Sequence, residues 1–137
     1  MSNHCDILIV DDEPIVGERL QSFLTRDGHR VETFTDPAAA IDRIENKSFD
    51  IVISDIRMGQ IDGLQVMEKV FEKTPQVKFI MITGYATLEL ARESLTKGAF
   101  DFIAKPFKLK EIRKTIQRAS EALHPAQAPT ALQSAAL

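Results

Sequence analysis

Four short apolar runs in this chain each stop at a polar residue. Ile7, Leu8, Ile9 and Val10 lead to Asp11 and Asp12; Ile51, Val52, Ile53 and Ser54 lead to Asp55. Phe79, Ile80, Met81 and Ile82 lead to Thr83, and Phe102, Ile103 and Ala104 lead to Lys105. The continuous runs around Leu8, Val52 and Ile80 suit strands buried on both faces, whereas residues 30–34 alternate polar and apolar and suit an edge strand. Five strands in all, alternating with five helical segments, predict an α/β fold around a parallel sheet. In an open sheet of that kind the carboxyl ends of the strands share one edge, where such folds build their sites. Asp11, Asp12, Asp55, Thr83 and Lys105 are therefore expected to converge.

The helices are legible from caps and period. Pro14 suits an early helical position, and Val16, Leu20, Phe23 and Leu24 form the apolar stripe of a first helix ending near Gly28. Asp36 and Pro37 start a second helix, and Asp62 caps a third carrying Leu64, Met67, Val70 and Phe71. Thr87 or a near neighbour starts a fourth, with Leu88, Ala91 and Leu95 as its buried stripe and Gly98 as its end. Leu109, Ile112, Ile116, Ala119 and Leu123 recur at spacings of three and four in the last helix. Lys108, Lys110, Arg113, Lys114 and Arg118 occupy its other positions; a solvated face is the first reading, a partner-docking face the second. The folded domain is expected over residues 1–123. Residues 124–137 lack Asp, Glu, Lys and Arg and read as a disordered tail or linker.

A length of 137 residues with a hydrophobic fraction of 44% suits one domain with a proper core. The formal charge of -3 offers no global attraction to nucleic acid or an anionic membrane. A single cysteine excludes an intramolecular disulfide, and no signal peptide or long apolar span is visible, so a cytoplasmic location is expected. Cys5 reads as a strand-start residue without a second thiol to make it a redox sensor. No two of His4, His29 and His124 have a metal-ligand spacing, and no GxxxxGKS or GxGxxG loop is present.

The chemistry of the converging set is specific. Three carboxylates from Asp11, Asp12 and Asp55 in one crevice repel one another, and unpaired buried charge is costly. A hard, oxygen-seeking ion such as Mg2+ suits one or two carboxylates, a carbonyl and several waters, and readily shares a phosphate oxygen. The ion and Lys105 together formally balance the three carboxylates. One carboxylate can then act as a nucleophile.

Together these residues resemble the receiver domains of two-component response regulators. The resemblance runs from residue 6 to about residue 123. It rests on Asp11 and Asp12 followed by Glu13 and Pro14, the segment DIRMGQIDG at residues 55–63, Thr83 with Gly84, and Lys105 with Pro106 and Phe107. It implies a flavodoxin-like, doubly wound five-stranded parallel sheet of strand order 2-1-3-4-5. It implies that Asp55 accepts a phosphoryl group from a sensor histidine kinase or phosphotransfer protein, with Asp12 binding Mg2+ directly, Asp11 largely through water and Arg57 by its backbone carbonyl. Thr83 would hydrogen-bond the phosphoryl group and Lys105 would pair with it. Phe102 takes the switch-aromatic position, and Tyr85 lies where it can screen the site or pack beside Phe102. The implied output is a changed surface on the fourth helix, fifth strand and fifth helix, through which a homodimer can form; direct nucleic-acid or membrane contact is not expected. GAFDFIAKPF at residues 98–107 is most similar to receivers of enhancer-binding transcription activators.

One departure stands out: Met58 is followed by Gly59 and Gln60, where the family commonly has proline after the methionine. Glycine admits backbone angles that proline excludes, so a looser loop is expected. Two other readings remain. One is a receiver-like interaction module that works without phosphorylation, against which the complete set of polar residues argues. The other is a metal-dependent phosphatase with an aspartyl intermediate, for which the second carboxylate two positions after Asp55 is missing: Arg57 stands there.

Overall fold

The computed structural model describes residues 4–84 and 87–124. Strands β1 (Asp6–Val10), β2 (Arg30–Phe34), β3 (Ile51–Asp55), β4 (Lys78–Thr83) and β5 (Asp101–Ala104) alternate with helices α1 (Pro14–Arg26), α2 (Pro37–Asn46), α3 (Gly63–Lys73), α4 (Leu88–Thr96) and α5 (Leu109–Leu123). The strands form one sheet in the order β2-β1-β3-β4-β5, and every pairing is parallel. The expected strand order and edge position of β2 are both found.

The continuous apolar runs divide between two cores because successive strand side chains point to opposite faces. Leu8, Val10, Val52, Phe79 and Met81 meet Ala40 and Ile44 of α2, Val66, Met67 and Val70 of α3, and Ala91 of α4. Ile7, Ile9, Ile51, Ile53, Ile80 and Ile82 meet Leu20 and Leu24 of α1 and Ile112, Ile116 and Ala119 of α5 on the other face. The register places Ile7 beside Ile51 and Ile53 beside Ile80, so one face is a β-branched layer. Burying a side chain of this size stabilises by roughly 1.5–3 kcal/mol.

Asp36 accepts the Ala38 amide at 3.0 Å and Asp62 caps α3, as the sequence predicts; Gln65 returns the bond to Asp62 and completes a capping box. Gly28 and Gly98 adopt φ of 100° and 110° just past α1 and α4, where a side chain would be strained. Cys5 is buried just before β1, and its amide donates to His29 Nδ1 at 3.1 Å. The expected stripe of α4 needs correction. Leu95 is 40% exposed, and the buried positions are Ala91 and Ser94. The helix turns the serine inward because its hydroxyl is satisfied locally, donating to the Ala91 carbonyl at 2.6 Å.

Candidate functional site

The carboxyl ends of β1, β3, β4 and β5 carry the polar residues singled out above. Asp11 follows β1 directly, and its amide extends the ladder to Phe34 O at 3.0 Å. Asp55 and Thr83 are the last residues of β3 and β4. Lys105 follows β5, and its amide donates to Thr83 O at 2.7 Å. Strand ends thus set the backbone positions, and the side chains need only short reach.

Lys105 Nζ sits at the centre. It lies 3.1 Å from Asp11 Oδ2, 3.2 Å from Asp55 Oδ2 and 2.8 Å from Glu13 Oε1. Asp11 and Asp55 are 1% and 9% exposed, while Asp12 faces solvent. Asp11 Oδ1 accepts the Glu13 amide at 2.9 Å, closing the turn that leads to Pro14. Asp55 Oδ1 accepts the Ile56 amide at 2.8 Å. Asp11 Oδ2 is buried and takes no hydrogen bond, so its contact with Lys105 is an ion pair alone.

Burial pushes the Asp11 carboxyl above the ordinary range, and the Asp55 charge adds to it; the Glu13 amide and Lys105 oppose this without cancelling it. Burial acts on Lys105 toward a lower value, but the bond to Glu13, the close contact with Asp11 and the charges of Asp11 and Asp55 prevail and raise it. The two directions are compatible. Lys105 gains from three carboxylates, whereas Asp11 shares one ammonium with two competitors and keeps an unmet demand for positive charge.

One oxygen each from Asp11, Asp12 and Asp55 lies within 4.8 Å of the others, a grouping that could hold a metal ion. With a buried Asp11 oxygen that lacks a hydrogen bond and an all-oxygen donor set open to solvent at Asp12, these residues fit a hard divalent cation such as Mg2+. Arg57 is exposed on the loop after β3. Gly59 in that loop has φ of 75°, a conformation closed to the proline usual nearby.

Thr83 does not join the carboxylate and lysine cluster through its side chain. It is fully buried; its hydroxyl donates to Gly84 O at 3.0 Å and lies 2.5 Å from Thr87 Oγ1. Phe102 is half-buried against the core between the sheet, α3 and α4. Tyr85 lies outside the described residues, as do residues 125–137 of the expected tail.

Two residues at the site had no assigned role in the sequence reading. Glu13 adds a fourth carboxylate, so even a divalent ion and Lys105 together leave one negative charge over, and its place next to the acidic pair was the available signal. Gly63 was visible only as part of a motif. A Cβ there would fall 2.4 Å from Asp55 O and 3.0 Å from Ile56 Cα.

A doubly wound sheet with an acidic cluster and one lysine at its carboxyl edge defines a receiver-type protein. The family model for the response regulator receiver domain matches residues 7–117, and the chain belongs to that family, whose members act in two-component systems as phosphoacceptor switches and not as conventional enzymes. Members typically bind Mg2+ at such an acidic cluster. The chain is 32% identical over 114 residues to the transcriptional regulatory protein ZraR of Klebsiella oxytoca, covering 83% of this chain and 26% of that protein. It is 32% identical over 121 residues to the C4-dicarboxylate transport transcriptional regulatory protein DctD of Rhizobium meliloti, covering 88% and 26%. Among solved structures, the receiver domain of NtrX from Brucella abortus superposes with a TM-score of 0.80 at 32% identity, covering 85% of this chain and 98% of that one. A receiver domain protein from Clostridium thermocellum gives 0.83 at 25%, covering 89% and 98%. The chain spans about a quarter of the length of the curated relatives it matches. These relatives are transcription regulators of the kind the GAFDFIAKPF resemblance implied. No helix among the described residues is long and apolar enough to cross a membrane.

Proposed function

We propose that Asp55 accepts a phosphoryl group from the phosphohistidine of a sensor kinase or phosphotransfer protein. The observation that carries this reading is the meeting of Asp11, Asp55 and Lys105 within 3.2 Å contacts at one sheet edge, with a metal-sized acidic grouping beside them. Asp11, Asp12, Asp55 and the Arg57 carbonyl would hold Mg2+. When bound, the ion supplies positive charge to the oxygens of the phosphoryl group in transfer. A carboxylate oxygen of Asp55 attacks phosphorus in line as the P–N bond of the donor breaks; the imidazole leaves with the bonding pair. Lys105, already 3.2 Å from Asp55, turns to the incoming phosphoryl oxygens, so positioning and electrostatics do most of the work. Water later hydrolyses the acyl phosphate, with Arg57 flanking its approach.

The signal leaves through Thr83 and Phe102. The Thr83 hydroxyl moves to a phosphoryl oxygen, Phe102 turns inward, and the surface of α4, β5 and α5 changes. That surface is the site of output contact or homodimerisation. Residues 1–123 form the receiver and 124–137 a tail or linker, and the likeness to longer transcription regulators supports a role in cytoplasmic transcription control.

Intact mass after incubation with acetyl phosphate and Mg2+ tests the reading. One phosphoryl gain that requires both Mg2+ and Asp55, and is lost in Asp55→Asn, is expected. Failure of the wild type to gain the group, together with failure to bind fluoroberyllate in Mg2+, would replace the switch with a phosphorylation-independent interaction module.

A further inference from the structure

The start of α4 contains a second hydroxyl that the proposed mechanism leaves unused. Thr87 is the N-cap residue of α4, a position at which threonine commonly accepts an amide of the first turn. Here it makes no such cap. Its Oγ1 lies 2.5 Å from Thr83 Oγ1 and donates to Gly84 O at 3.2 Å, while its amide reaches the same carbonyl at 3.1 Å. Thr83 Oγ1 donates to Gly84 O as well. Both threonines are buried, at 0% and 7% exposure, so these hydroxyls have little water to turn to. Thr83, Gly84 and Thr87 thus close a ring of three polar contacts that share two hydroxyl protons.

From this ring we infer that Thr87 is a positioning residue, a latch that holds the Thr83 hydroxyl away from Asp55 until a phosphoryl group competes for it. The inference rests on the proposed phosphorylation of Asp55. A hydroxyl has one proton to donate, so Thr83 cannot bond a phosphoryl oxygen and keep its donation inside the ring. Turning away from Thr87 breaks a contact in a buried setting, where lost hydrogen bonds cost most. The latch therefore raises the threshold for the phosphorylated conformation. It also ties that conformation to the N-cap of α4, because release of Thr83 removes one of the contacts of the Thr87 hydroxyl.

Titration calorimetry of fluoroberyllate with Mg2+ measures the threshold directly. Thr87→Val keeps the shape and removes the hydroxyl; it is expected to bind fluoroberyllate about two- to tenfold more tightly than wild type, the span corresponding to one net hydrogen bond. Thr87→Ser keeps the hydroxyl and should bind as wild type does. In a Thr83→Ala background the Thr87→Val change should have no effect, because nothing remains to latch. Equal or weaker binding by Thr87→Val, or the same gain with and without Thr83, overturns the latch and makes Thr87 a structural residue only. Wild type that binds no fluoroberyllate overturns the phosphoacceptor reading and the latch with it, so the two failures are told apart by which protein shows them.

Discussion

Gly63, the first residue of α3, lies against the backbone of Asp55, and its amide donates to Ile56 O at 2.6 Å. The contact leaves no room for a Cβ, since the nearest atoms are main chain and cannot rotate aside. Gly63→Ala should therefore cost about 1–3 kcal/mol, the usual penalty for overpacking. The urea midpoint should fall, and phosphoryl uptake from acetyl phosphate should slow because the Asp55 backbone must shift. An unchanged midpoint would mean that α3 can slide outward at no cost.

Asp11 carries a pH dependence of the opposite sign to most carboxylates. Its folded value is raised, first by burial and then by Asp55, so the folded state holds the proton more tightly than the unfolded chain. Asp11 then favours folding below its ordinary value, and that contribution is lost as pH rises through the raised folded value. At neutral pH and without metal the charged carboxylate works against stability. Asp11→Asn should unfold at higher urea than wild type in Mg2+-free buffer at pH 7, with the gap closing as pH is lowered into the carboxylate range.

Mg2+ should reverse that penalty. A ligand present at tenfold its dissociation constant stabilises the folded state by roughly 1.4 kcal/mol. Thermal unfolding of wild type should shift upward with added Mg2+, whereas Asp12→Ala, which removes the exposed member of the carboxylate group, should show little or no shift. A full shift in Asp12→Ala would move the ion elsewhere.

The bidentate pair from Arg113 to Asp27, at 2.8 and 2.9 Å, pins α5 to the end of α1, with the guanidinium 4.6 Å from the Phe23 ring. Arg113 holds the Asp27 carboxyl below its usual range. Its contribution is present above the unfolded value and fades as pH falls through the lowered folded one. Both partners are partly exposed, so Asp27→Asn should cost only about 0.2–1 kcal/mol, and less at high salt. A loss that salt leaves untouched would point to packing against Phe23 as the main term.

Much of the fold was legible because its signals are local. Pro14 marks a helix start through its fixed φ and Asp36 and Asp62 through bonds made within a few residues, and the period of α5 announces its buried face without reference to the rest of the chain. The α4 stripe was less secure: a short helix offers both Ser94 and Leu95 to the same sector, and only packing against the sheet decides between them. At the candidate site, residue types at strand ends pointed to the carboxylates and Lys105. Glu13 was legible only as part of a motif and Thr87 only as a helix start, because their further importance lies in contacts, one with a lysine 92 positions away and one with a neighbouring hydroxyl whose direction no spacing reveals.

By itself the sequence determined the element order, the parallel α/β class and the placing of Asp11, Asp12, Asp55, Thr83 and Lys105 at strand ends along one edge, because burial pattern and crossover topology leave a parallel sheet few alternatives. The tertiary structure decided where charge and protons sit: Lys105 shared among three carboxylates, Asp11 Oδ2 left without a hydrogen bond, Gly63 pressed on Asp55, and Thr83 turned to Thr87. Those outcomes depend on distances of a few tenths of an ångström and on competition among several groups for one partner, and neither is written in residue type or spacing.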